Sequence, residues 1–203
     1  PALAQVTVSD AWVRGTVPGQ TATGAFMSLK SPTDAALVSA SSQGAGIVAY
    51  ATDRELSVAS FALSGSVCVA DLEGGIRSLP SGRGALDPRI DPFGRHVAYA
   101  ADAALRVTEV DGSGDRALAE PESATQAWGV AEFVAAEEMG RSRGFWWAPD
   151  GGSLLVERYD EAPVQVWYVA DPANPDRPPA VQRYPAAGTA NAEVGLHVVD
   201  LEG

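Results

Sequence analysis

Apolar residues along this chain gather in short strand-like runs separated by turn residues. Val6-Thr7-Val8 and Ala11-Trp12-Val13 open it, and Gly24-Ala25-Phe26-Met27-Ser28-Leu29 follows a Pro18-Gly19 turn. The stretch Ser39-Ala40-Ser41-Ser42-Gln43-Gly44 is small and polar, with no core-forming residue, and marks a boundary. Beyond it a motif recurs. Asp91-Pro92-Phe93-Gly94-Arg95-His96-Val97-Ala98-Tyr99 is echoed by Ala148-Pro149-Asp150-Gly151-Gly152-Ser153-Leu154-Leu155-Val156. Each copy is a Pro-containing turn closed by Gly and followed by a short apolar strand. A second strand comes next, Leu105 to Val110 or Val164 to Val169. Gly46-Ile47-Val48-Ala49-Tyr50 with Ser66 to Leu72 reads as a third, looser copy. Recurring strand pairs fit the blades of a β-propeller, and the same turns fit an ordinary β-sandwich.

One segment departs from the strand rhythm. From Val130 to Met139 the residues are helix formers, with Val130, Phe133 and Val134 at i, i+3 and i+4, and Gly140 can end the run. The spacing predicts a short amphipathic helix inserted into a blade. Glu137 and Glu138 close that helix. Two carboxylates there oppose the macrodipole at about 0.3–1 kcal/mol each, and they repel one another. A local rule broken without visible gain points to function. Adjacent helical side chains point about 100° apart, so both can reach one cation placed beyond the helix end. An ammonium about 4 Å from a carboxylate gains roughly 4 kcal/mol at an effective dielectric near 20. Paired glutamates are also a common feature of a solvated helix face.

Composition narrows the partners. Hydrophobic residues make up 46% and charged residues 20% of the 203, ordinary values for a folded domain. The formal charge of −12 repels phosphate backbones, which argues against nucleic acid and suits a cationic ligand such as a free peptide N-terminus. No apolar run is long enough to suggest a membrane span. Cys68 is the sole cysteine and, within Val67-Cys68-Val69, is expected to be a buried core thiol. Pro1-Ala2-Leu3-Ala4-Gln5 resembles the small-residue end of a secretory leader, which hints at a secreted or periplasmic setting.

The run Gly129-Val130-Ala131-Glu132-Phe133-Val134-Ala135-Ala136-Glu137-Glu138-Met139-Gly140-Arg141, continuing through Arg143-Gly144-Phe145-Trp146-Trp147-Ala148-Pro149-Asp150, resembles the double-glutamate segment of the dipeptidyl peptidase IV family. It is most similar to the branch that contains dipeptidyl peptidases 8 and 9. The likeness continues in order through Asp87-Pro88-Arg89-Ile90-Asp91-Pro92, Val156-Glu157-Arg158-Tyr159-Asp160-Glu161 and Arg183-Tyr184-Pro185-Ala186-Ala187-Gly188-Thr189-Ala190-Asn191-Ala192. The resemblance implies a propeller that caps a serine-hydrolase domain, with Glu137 and Glu138 binding the substrate's α-amine, so that X-Pro or X-Ala dipeptides are released. Trp146 and Trp147 belong to the same motif, and as large aromatics they are expected to pack the blade rather than touch ligand. No G-x-S-x-G elbow occurs in the sequence, and His96 and His197 stand in strand patterns without a triad context. At about 40–45 residues per blade, the chain supplies roughly three to four blades of an eight-bladed ring. It is not catalytic alone, the hydrolase domain being a partner the resemblance calls for.

The first residues resemble something else. Val6-Thr7-Val8-Ser9-Asp10-Ala11-Trp12-Val13-Arg14, Val17-Pro18-Gly19-Gln20-Thr21-Ala22-Thr23-Gly24-Ala25-Phe26-Met27 and Leu37-Val38-Ser39-Ala40-Ser41-Ser42 are similar to the opening of PCuAC-type periplasmic copper chaperones. These are cupredoxin-like sandwiches that bind Cu(I) through His and Met. Met27 and Met139, the only methionines, stand outside that family's ligand motif, so no copper ligand is carried over and no cofactor is implied. The expected organisation is a chimera: residues 1–43 a truncated copper-chaperone-like β segment, residues 44–203 a partial peptidase propeller. The mainly β chain would then be a recognition fragment. The other readings are a copper-binding module and a nonenzymatic scaffold that self-associates through open blade edges. The peptidase part is also compatible with the cytoplasm.

Overall fold

A computed structural model of the chain describes residues 49–71, 75–80, 84–172 and 174–202, and the backbone alone at 7–13 and 25–30. The leader-like residues 1–5, the turn at 18–19, the boundary at 39–44 and strand residues 46–48 lie outside the described residues. The chain divides into two units, Pro1–Val48 and Ala49–Gly203. In the first, β1 (Thr7–Val13) runs antiparallel to β2 (Ala25–Lys30), with a bulge between Ser9 and Trp12.

The second unit is a partial β-propeller. Its first blade pairs β3 (Tyr50–Thr52), β4 (Val58–Leu63), β5 (Ser66–Asp71) and β6 (Ile76–Ser78) in chain order. Its second pairs β7 (Leu86–Ile90), β8 (His96–Ala101), β9 (Ala104–Glu109) and β10 (Arg116–Ala119) in the same way. In the third blade, β13 (Ser153–Asp160) is paired along its whole length by β16 (Glu193–Asp200). The two short strands β11 (Gln126–Trp128) and β12 (Phe145–Trp147) therefore share its other edge, end to end. Between β11 and β12 stands α1 (Phe133–Glu137), and between β13 and β16 a separate hairpin of β14 (Val166–Val169) and β15 (Ala180–Arg183).

One turn is built three times. The amide of its first residue donates to the carbonyl five residues on: Asp53 to Val58 at 3.2 Å, Asp91 to His96 at 2.8 Å, Ala148 to Ser153 at 2.9 Å. The fourth residue donates back to the first and sits in the left-handed region, at φ 59° for Leu56, 71° for Gly94 and 67° for Gly151. In the second blade the wholly buried Asp91 completes the turn, its Oδ1 accepting from the amides of Arg95 at 2.6 Å and His96 at 3.2 Å. Asp53 does the same for Ser57 and Val58 in the first blade. Ala148 cannot, and in the third blade the exposed Asp150 takes the Gly152 amide at 2.9 Å instead.

The blades pack face to face. Val67 and Val69 of β5 meet Ile90, Val97, Tyr99 and Ala101 of the second blade in one buried cluster. Ala98 and Leu105 meet Phe145, Leu154 and Val156 of the third blade in another. Trp147 spans the second junction, its indole N–H donating to the Arg89 carbonyl at 2.9 Å.

Two sequence expectations need correcting. The helix expected over Val130 to Met139 is only five residues long, because Glu132 holds an extended backbone (φ −71°, ψ 170°) and caps it rather than joining it. The strand expected at Val164 to Val169 pairs with β15, not with the repeat strand β13, whose neighbour comes from much farther along the chain at β16.

Candidate functional site

Where β11 ends and β12 begins, the edge of β13 is bridged across a gap. Gly129 N–H donates to the Glu157 carbonyl at 2.9 Å, and Glu157 N–H donates to the Gly144 carbonyl at 2.7 Å. The chain thus leaves the strand at Gly129 and rejoins it at Gly144, and both ladder groups of Glu157 stay satisfied. The two feet of the insertion touch, Val130 bridging to Arg143. A Cβ on Gly144 would lie 2.3 Å from the Val130 nitrogen, so only glycine closes this doorway.

The insertion carries α1, and its ends are tied by charged side chains. The Glu132 carboxylate accepts the amides of Val134 at 2.8 Å and Ala135 at 2.7 Å, satisfying donors that the helix start leaves orphaned. After the helix, Gly140 turns through the left-handed region at φ 63°, and the Arg141 amide folds back to the Ala135 carbonyl at 3.0 Å. Beneath both ends lies Glu157, whose buried carboxylate accepts the Glu132 amide at 3.2 Å and pairs with the Arg141 guanidinium. Arg141 also donates to the Arg143 carbonyl at 2.7 Å.

Glu137, the last helical residue, and Glu138, the C-cap, both stand exposed. Among the described residues neither side chain makes a hydrogen bond or ion pair, so both carboxylates are open to a ligand. Negative charge gathers near the start of α1, where Glu132 acts on both Tyr159 and Glu161. Burial pushes the Tyr159 hydroxyl up, and the charges of Glu161, Glu132 and Glu157 push it further. Burial likewise raises the Glu161 carboxyl; Glu132 and Asp160 reinforce this, against the opposing pull of Arg183. On its outer side α1 touches the hairpin root, where Phe133 meets Tyr184 edge-on at 5.3 Å. Arg183 fixes that root by donating to the carbonyls of Glu161, Ala162 and Val164 at 2.8–3.2 Å.

This arrangement can hold a cation; among the described residues no nucleophile stands poised against a base. His96 lies between Glu109 at 3.3 Å and Asp91 at 3.7 Å, and His197 packs on Trp128 at 4.9 Å. Cys68 is buried in β5. Glu132, Arg141 and Glu157 were not singled out by sequence reasoning. Their signal was a carboxylate inside the apolar strand Leu154-Leu155-Val156-Glu157 and a glycine at each end of the helical stretch.

Comparison with known proteins places this geometry in context. The family model described as the dipeptidyl peptidase IV (DPP IV) N-terminal region matches residues 41–203. Dipeptidyl peptidase 8 from Homo sapiens is 36% identical over 99 residues, covering 42% of this chain and 11% of that protein. Its Mus musculus counterpart is 38% identical over 93 residues, covering 41% and 10%. The chain thus matches only about a tenth of the length of these curated relatives. Among solved structures, Porphyromonas gingivalis dipeptidyl peptidase 4 superposes with a TM-score of 0.63 at 21% identity, over 77% of this chain and 24% of that one, a likeness of fold. The resemblance of residues 1–43 to copper chaperones lies outside the family match except at 41–43.

Proposed function

Because the chain belongs to the family of dipeptidyl peptidase IV N-terminal regions, we propose that it is part of the substrate-recognition propeller of a dipeptidyl peptidase, and that Glu137 and Glu138 grip the protonated α-amine of a peptide. The observation that carries the reading is a pair of exposed carboxylates with no partner among the described residues, at the end of a helix anchored at both ends. Peptides with proline or alanine second, as the sequence resemblance implies, are the substrate class, and a hydrolase domain would do the cutting. The proposal concerns recognition alone.

Exposure sets the size of the effect. In water an ammonium about 4 Å from a carboxylate gains only about 1 kcal/mol, so two such contacts, about 2 kcal/mol together, discriminate a free from a blocked amine by roughly thirtyfold. Titrating the chain with Ala-Pro-Ala and with its N-acetyl form tests this. The free peptide binds about thirtyfold tighter, and the Glu137→Ala, Glu138→Ala double variant removes the preference. The preference also fades as pH rises through the peptide amine's pKa near 8, where the cation is lost. Equal affinity of parent and double variant for the free peptide sinks the reading.

A further inference from the structure

A helix of five residues makes too few hydrogen bonds to keep its shape in water. Glu137 and Glu138 can present their charges in one place only if something else fixes the segment. Glu157 provides it. Its carboxylate is almost wholly desolvated, with 2% of the side chain exposed, and a buried carboxylate needs strong partners. It takes one on each side of α1: the amide of Glu132, just before the helix, and the guanidinium of Arg141, just after it. The two partners extend the hold in both directions. Glu132 caps the first turn with its own carboxylate, while the Arg141 amide returns to the Ala135 carbonyl. Glu157 itself belongs to the long paired strand β13, whose other edge is held throughout by β16.

We propose that Arg141 and Glu157 are positioning residues for peptide recognition: one half-buried ion pair locks the short helix to the blade and thereby sets where the two glutamates stand. The inference rests on the amine-gripping role proposed above. It predicts that removing the pair weakens binding although neither residue faces the ligand.

The test uses the full chain and Ala-Pro-Ala as the probe, with affinity read by titration and amide hydrogen exchange read by NMR. Arg141→Met raises Kd about tenfold, and Arg141→Lys, which keeps the charge, recovers part of the loss. The Ala136, Glu138 and Arg141 amides exchange faster in the Met variant, while those of Leu105 and Val107 in β9 do not change. If Arg141→Met alone unfolds the chain, the Arg141→Met, Glu157→Gln double variant removes both charges together and reads the same effect. Unchanged affinity and unchanged helix exchange, in a chain whose binding does depend on Glu137 and Glu138, overturn the positioning role and leave the amine grip standing. Binding that ignores Glu137 and Glu138 overturns the amine grip, and the positioning role with it.

Discussion

The second and third blades break their ladders at the same point and in very different measure. In the second, β7 pairs Leu86 with Ala100 and Arg89 with Ala98, so one extra residue bulges out at Asp87–Pro88, where Asp87 takes φ 46°. In the third, the equivalent stretch runs from Trp128, opposite Arg158, to Phe145, opposite Val156, and the whole helical insertion occupies the place of the bulge. Counting back four residues from the shared turn, Gly144 stands where Asp87 stands. A bulge leaves a residue unpaired and bends the strand, which already releases the chain from the ladder. The third blade widens the same release into a site. It also hands the turn's capping carboxylate from buried Asp91 to exposed Asp150. The regular blade thus gains rigidity at this turn, and the interrupted one gains a platform.

That contrast can be broken experimentally, most severely at the doorway. Gly144→Ala forces a Cβ against the backbone of Val130 and Gly129, at 2.3–2.6 Å, and neither can retreat without opening the bridge. We expect about 3 kcal/mol of lost stability in urea unfolding, together with loss of peptide binding. Next comes Asp91→Ala, which strands two part-buried amides and unpairs Arg95. A loss of about 2–3 kcal/mol is expected by the same measurement, with the second blade unfolding first in hydrogen exchange. The smallest effect belongs to Asp150→Ala, where water can replace the carboxylate at the Gly152 amide, and about 0.5–1 kcal/mol is expected. Equal losses at Asp91 and Asp150 would show that burial does not separate the two turns.

The repeat at Asp91–Tyr99 and Ala148–Val156 was legible because its turn advertises itself with Pro and Gly, and the two copies share the same backbone bonds. The turn of the first blade was not. Asp53 to Val58 contains neither residue, and Leu56 occupies the left-handed position at φ 59° that glycine fills in the other two. The sequence likewise announced a strand over Val164 to Val169, seen as Val166–Val169, yet could not say which strand it pairs with; partner choice depends on the distant β16. At the site, Glu137 and Glu138 were visible as carboxylates placed against the helix dipole. The support beneath them was hidden, since nothing in the spacing of Glu132, Arg141 and Glu157 reveals that a strand and a loop meet there.

The doorway at Gly129 and Gly144 makes what lies between them a cassette. Because both ladder bonds of Glu157 are completed across the opening, the strand downstream keeps its register whatever length or shape the enclosed segment has. Exchanging that payload therefore changes what the blade presents without redesigning its scaffold, as long as the two glycines and an anchoring carboxylate at the threshold are retained.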